Sequence, residues 1–139
     1  MTTTTKFVTL PSGSTNAPDE PGTLGAAARV LYDQGINIEA FATEASGIRL
    51  RTSSPEKAVR VLSDAGYEPE TVECFELHVP NQPGELARIG EALGKANVNI
   101  VSCFGSAAGG SGQIYLRVDD PETAAPILER LTRQTVQTR

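Results

Sequence analysis

The sequence predicts an α+β chain made of two β-α-β-β-α-β copies, and three observations carry that expectation. "DEPGTLGAAARVLYDQGINI", Asp19 to Ile38, is written again as "NQPGELARIGEALGKANVNI", Asn81 to Ile100, 62 positions later. Around each copy, short stretches alternate apolar and polar residues as half-buried strands do. Each copy also holds a second helix announced by a capping residue, a proline and a glutamate. Together these anticipate two modules, residues 1–70 and 71–139, paired side by side into one eight-stranded antiparallel sheet with the helices on one face.

The alignment of the copies justifies the elements. Pro21 and Gly22 fall on Pro83 and Gly84, Leu24 on Leu86, Ala28 on Gly90, Leu31 on Leu93, Asn37 on Asn99 and Ile38 on Ile100. Upstream, Phe7 matches Phe75 at an offset of 68, so the first copy carries six extra residues in "PSGSTNAP", a loop composition. Downstream, Leu50, Arg51, Pro55 and Glu56 match Leu116, Arg117, Pro121 and Glu122 at an offset of 66, which puts four extra residues in "SAAGGSG". That glycine-rich stretch lacks the lysine of a phosphate-binding loop and reads as a flexible hairpin loop.

The opening strands are "KFVTL" and "CFELHV"; in the latter Phe75, Leu77 and Val79 alternate with Glu76 and His78. The first helices place Leu24, Ala28, Leu31 and Leu86, Ile89, Gly90, Leu93 on one stripe, and the small Ala28 and Gly90 are expected to let helix and sheet come close. Gly35 and Asn97 sit where a left-handed residue ends a helix, and Gly66 ends the second helix of copy one. "INIEAFATEA" and "VNIVSCFGSA", then "GIRLRT" and "QIYLRVD", are the second and third strands. Arg49, Arg51 and Arg117 read as a solvated strand face. Ser54 and Asp120 are the caps of the second helices, whose inward residues are Ala58, Val61, Leu62 and Ala124, Ile127, Leu128. "EPETV" supplies a fourth strand, and "TRQTVQTR" is left for its counterpart in copy two.

Charge and composition exclude several classes of function. The 12 basic residues against 17 acidic ones give a net charge of −5, and the basic residues form no cluster; nucleic acid and anionic membrane both need a concentrated positive field. "GIRLRT" and "QIYLRVD" offer a single aromatic, Tyr115, where RNA-stacking platforms use several. The start "MTTTTKFVTL" is not a signal peptide and no run of 18 apolar residues occurs, so a soluble, cytoplasmic protein is expected. Cys74 and Cys103 stand 29 positions apart and His78 is the single histidine, which suggests no disulfide framework, metal site, cofactor or hydrolase triad. Both cysteines read as reduced core or strand residues, His78 as a solvated strand residue, and the chain as a non-enzyme.

A strand, then Asp or Asn, one residue, Pro-Gly, a helix whose first turn holds a leucine, and an Asn-Ile entry to the next strand resembles the ACT domain. That is a ferredoxin-like module sensing small metabolites, mostly amino acids, in biosynthetic enzymes and regulators. The likeness runs over both copies, residues 6–136, and is strongest to stand-alone tandem ACT proteins. It implies a regulatory protein that binds a free amino acid or similar metabolite at the interface of two modules and controls an enzyme or regulator, with a homodimer as one assembly. The alternative is a scaffold whose modules pair with another ACT-containing or biosynthetic protein and bind no ligand.

The loop chemistry agrees with binding. Gly22 and Gly84 leave room for a ligand at a helix N-terminus, where the N–H groups of Thr23, Leu24, Glu85 and Leu86 and the helix dipole favour a carboxylate. Asp19 and Asn81 can accept from an ammonium, and Pro21 and Pro83 fix the turn without costing a needed donor. The resemblance adds Asn37, Ile38, Asn99 and Ile100 to the ligand-binding set. A plain turn would use the same Asp, Asn and glycines. The copies differ in charge, "DEPG" against "NQPG", which favours the Asn81 loop as the receiver of a ligand carboxylate.

Overall fold

The computed structural model describes residues 2–13 and 20–137. In chain order they form β1 (Thr2–Pro11), α1 (Thr23–Asp33), β2 (Ile38–Glu44), β3 (Gly47–Thr52), α2 (Pro55–Asp64), β4 (Glu70–Pro80), α3 (Glu85–Lys95), β5 (Ile100–Ala108), β6 (Ser111–Val118) and α4 (Pro121–Gln137). The fold is α+β, as expected, but the eight strands become six. "EPETV" and "ECFELHV" are one strand, β4, because nothing between them breaks the extended chain.

Contacts group the chain into two compact units. One is Lys6–Glu73; the other runs from Cys74 and includes the start of β1 up to Thr5. The second unit therefore begins a few residues later than the expected boundary at 71 and draws on the start of the chain as well.

In the first unit the strand order is β2-β3-β1-β4. Val8 pairs with Leu50 and Leu10 with Ile48 in antiparallel register, so the period-two pattern puts all four on one face. Ala27 and Leu31 of α1 and Ala58 and Leu62 of α2 pack on that face, with Leu24, Val30 and Val61 partly buried beside them. Full burial of a leucine such as Leu31 or Leu62 stabilises by about 1.5–3 kcal/mol. Arg49 and Arg51 alternate with these core residues and pair with Glu44 at 3.2 Å and Glu39 at 3.4 Å.

In the second unit the order is β1-β4-β6-β5. Phe75 faces Leu116 and Leu77 faces Ile114 across the β4–β6 ladder. Phe75, Leu77, Val79 and Leu116 form a core with Ile89 and Leu93 of α3 and Ala124 and Leu128 of α4. The expected final strand over "TRQTVQTR" is instead helix, since α4 continues to Gln137. Leu128, Leu131 and Thr132 keep the three-to-four spacing of a buried helical stripe, and the buried Thr132 hydroxyl donates to the Leu128 carbonyl at 3.0 Å. The place of that fourth strand is taken by the start of β1.

Helix ends follow the sequence closely. Gly35, Gly66 and Asn97 have φ of 71°, 96° and 59°. Each is followed by an apolar residue whose N–H returns to the last turn: Ile36 to Leu31 at 3.0 Å, Tyr67 to Leu62 at 3.0 Å, Val98 to Leu93 at 2.9 Å. That bond satisfies an orphan carbonyl and brings the apolar residue to the core. At the starts, Asp120 caps α4 by accepting from the Thr123 N–H at 3.2 Å and hydroxyl at 2.6 Å. Ser54 makes no such bond; the neighbouring Ser53 hydroxyl accepts from the Asn37 N–H instead.

Two further expectations are corrected. Gly90 does not mediate a close helix–sheet approach, because a Cβ there would meet nothing within 4 Å. The buried positions are Ala27 and Ile89, one residue earlier on each helix. "SAAGGSG" is mostly strand: Ser106 to Ala108 extend β5, Ser111 and Gly112 open β6, and Gly109 and Gly110 alone make the turn.

Candidate functional site

The two Pro-Gly loops end in the same backbone. Gly22 and Gly84 are N-caps with φ 93° and ψ −9°, a left-handed conformation open to glycine at little cost. Neither helix start has a side-chain cap. The first intrahelical bonds run from Ala26 to the Gly22 carbonyl and from Arg88 to the Gly84 carbonyl, both 2.9 Å, so the amides of the first turn point out of the helix end.

In the second unit that end borders a cleft of about 410 Å³. The Asn81 and Gln82 loop and the first turn of α3, Glu85 and Leu86, form one wall; Cys103 to Ala107 of β5 and Gly112 to Ile114 of β6 form the other. Asn81 binds the walls together. Its backbone N–H donates to the Gly110 carbonyl at 3.0 Å and its Nδ2 to the Gly109 carbonyl at 2.9 Å. One carboxamide hydrogen thus serves the hairpin, and the carboxamide oxygen is an acceptor for a ligand donor.

Glu85, in the first turn of α3, accepts from Arg88 at 2.8 Å and from Gln82 at 3.2 Å. Arg88 in turn donates to the Leu131 carbonyl of α4 at 3.0 Å. The one carboxylate at the helix mouth is therefore compensated by a guanidinium, and the positive end of the helix dipole is still felt in the cleft. Small residues line the opposite wall. A Cβ on Gly105 would fall 2.5 Å from the Gln113 carbonyl oxygen, and one on Gly112 would sit 3.4 Å from Val79 Cγ2. The Phe104 ring of β5 stacks on the Tyr115 ring of β6 at 5.1 Å.

Cys103 is exposed on β5, yet partial shielding from water pushes its thiol above the ordinary value; Cys74 is buried. The thiolate needed for nucleophilic chemistry is thereby disfavoured. His78 Nε2 lies 2.9 Å from Glu76 Oε2, which also accepts from Gln113 at 3.0 Å, a polar cluster on exposed strand. Among the described residues no group of His, Cys, Asp or Glu could hold a metal ion, and no helix is long and apolar enough to cross a membrane. The cleft offers neutral acceptors, the Asn81 carboxamide oxygen among them, with helix-end amides and largely apolar walls. That set suits a small zwitterion held by its carboxylate and ammonium.

The sequence-derived residues separate accordingly. Asn81, Glu85 and Leu86 line the cleft; Gly84 instead borders a groove between α3 and α4, and Pro83 sets the turn before it. Asn99 and Ile100 lie at the entry to β5, away from the cleft: the Asn99 N–H donates to the Asp119 carboxylate at 2.9 Å, and Ile100 packs on the core. Asn37 and Ile38 do the same in the first unit, with Ser53 as the acceptor. Pro21 and Gly22 are exposed, Thr23 and Leu24 half-buried, and Asp19 lies outside the described residues. Sequence reasoning missed Cys103, Gly105, Ser106 and Gln113. The alternating small residues of "CFGSAAGGSG" were the available signal, since a strand face of glycine and alanine leaves room for a ligand.

Residues 75–134, which lie within the second unit, match the family model of the ACT domain. Among solved structures, a protein from Bacteroides thetaiotaomicron aligns with a TM-score of 0.78 at 23% identity, over 93% of this chain and 89% of that one. The regulatory subunit of aspartate kinase from Thermus thermophilus aligns with a TM-score of 0.62 at 15% identity, over 98% and 94%. Aspartokinase III from E. coli, in complex with lysine and aspartate, aligns with a TM-score of 0.62 at 15% identity, over 95% of this chain and 31% of that one. These likenesses establish a shared fold. No match was found among the curated proteins.

Proposed function

We propose that this chain is a regulatory protein that binds a free amino acid in the cleft of its second unit and passes the binding state to an enzyme or regulator in the cytoplasm. The observation that carries this reading is Asn81 at the mouth of α3, tied to the β5–β6 hairpin and facing apolar, small-residue walls. The ACT domain over residues 75–134 and the aspartate kinase regulatory structures of the same fold support an amino acid as ligand class. The lysine and aspartate in the aspartokinase III complex point the same way. No catalytic step is part of the proposal: the shielded Cys103 thiol and the solvated His78 are not paired as nucleophile and base.

Thermal shift against the twenty amino acids, followed by calorimetry on those that respond, tests the reading. A ligand that binds the folded state alone stabilises it by about 2.7 kcal/mol at a hundredfold excess over Kd. A flat response to all twenty at millimolar concentration would sink it in favour of the scaffold alternative.

A further inference from the structure

Among the described residues that line the cleft, Glu85 alone carries a charge, and its carboxylate is already engaged. It accepts from Arg88 at 2.8 Å and from Gln82 at 3.2 Å, and its side chain is only 12% exposed. The Asn81 and Gln113 amides each give a hydrogen to the protein, to the Gly109 carbonyl and to Glu76. A ligand side chain reaching past the mouth of α3 therefore finds no cation to hold a carboxylate, and an ammonium there would compete with Arg88 for Glu85.

The surface it does find is apolar by register. Cys103, Gly105 and Ala107 alternate onto one face of β5; Gly105 pairs with Ile114, Ala107 with Gly112, and Gly112 with Val79 of β4. That face is bare at its two glycines, and Leu86 of α3, 60% exposed, adds a large apolar side chain to the same cleft. In the first unit the matching face is filled. Phe41 and Thr43, paired with Leu50 and Ile48, stand where Cys103 and Gly105 pair with Leu116 and Ile114.

We infer that the cleft of the second unit selects an amino acid whose side chain is uncharged, apolar and larger than a methyl group, seated between Leu86 and Ile114. The inference rests on the amino-acid reading of this cleft and adds the side chain to it. A volume of about 410 Å³ lies near the lower end of small-ligand pockets, roughly 300–1,000 Å³, and holds one such molecule. An apolar side chain gains there in proportion to the area it buries, whereas a charge without a partner loses its hydration.

Calorimetry of the full chain with each of the twenty amino acids tests it, with Leu86→Ala as the variant. The tightest ligand is expected to be apolar, and to bind about tenfold or more tighter than alanine, lysine and aspartate. Leu86→Ala is expected to narrow the leucine-to-alanine affinity ratio by about threefold or more, with far-ultraviolet circular dichroism unchanged because the residue is exposed. If the tightest ligand is polar or charged, if alanine matches it, or if the variant keeps the ratio, the inference is overturned while the amino-acid reading stands. A flat response to all twenty removes both.

Discussion

Gly22 and Gly84 hold the same backbone conformation, φ 93° and ψ −9°, 62 positions apart in the chain. Space does not explain either glycine, since a Cβ at each would meet nothing within 4 Å. The left-handed φ does. Gly84→Ala is therefore expected to destabilise by about 1–2 kcal/mol, the cost of forcing an L-residue into that region. Gly25→Ala, at an open position with ordinary helical φ, is expected to gain up to about 0.5 kcal/mol. Urea unfolding of the two variants measures the contrast, and equal effects would remove the conformational explanation.

In the proposed site Asn81 presents a neutral group to the cleft, and charge should matter there. Two like charges about 4 Å apart near a surface repel by roughly 4 kcal/mol at an effective dielectric of 20, before salt and solvent screen them. Even a quarter of that is about fivefold in affinity. Asn81→Asp, which also loses the Nδ2 donor to Gly109, is expected to weaken amino-acid binding at least that much by calorimetry. Unchanged or tighter binding would show that attraction between the new carboxylate and the ligand's ammonium outweighs repulsion of the ligand carboxylate held at the α3 N-terminus.

The wall opposite Asn81 depends on Gly105. A methyl group 2.5 Å from the Gln113 carbonyl oxygen cannot be accommodated without shifting β5 against β6. Gly105→Ala is expected to cost about 1–3 kcal/mol and to lose ligand binding together with stability. A variant that melts like the unmodified protein and still binds would contradict the geometry of this wall.

Asp120 carries a pH signature. Its hydrogen bonds from the Thr123 hydroxyl and N–H hold the carboxyl below its ordinary value. The folded pKa is thus lower than the unfolded one, so the cap's contribution is full above the unfolded value, about 3.9, and fades as pH falls through the folded value. Asp120→Ala is expected to lower Tm at pH 7. The gap to the unmodified protein should narrow below about pH 4. A gap independent of pH would mean the charge has no part in the cap.

Much of this was legible in the residues. The repeat located both Pro-Gly helix starts, and the period-two runs around Phe75–Val79 and Ile48–Leu50 identified core strands that the antiparallel registers then matched. Gly35, Gly66 and Asn97 marked helix ends because positive φ is a local requirement that few residue types meet. Asp120 could be read as a cap for the same local reason, whereas the equivalent Ser54 goes unused and Ser53 bonds to Asn37 across sixteen positions.

What the sequence determined by itself is therefore local: where helices stop and start, which face of each strand is apolar, and that Asn81 precedes a helix mouth. These depend on φ preferences and on side-chain spacing within a few residues. Tertiary structure decided the rest. "TRQTVQTR" lengthens α4 because Leu131 and Thr132 find burial there, while the strand position it was expected to fill goes to the start of β1 at the far end of the chain. The cleft exists because the Gly109 and Gly110 carbonyls come within 3.0 Å of Asn81, nearly thirty residues upstream, and set small β5 residues across from α3. Pairing over that distance depends on which strands lie side by side, and residue spacing along the chain carries no record of it.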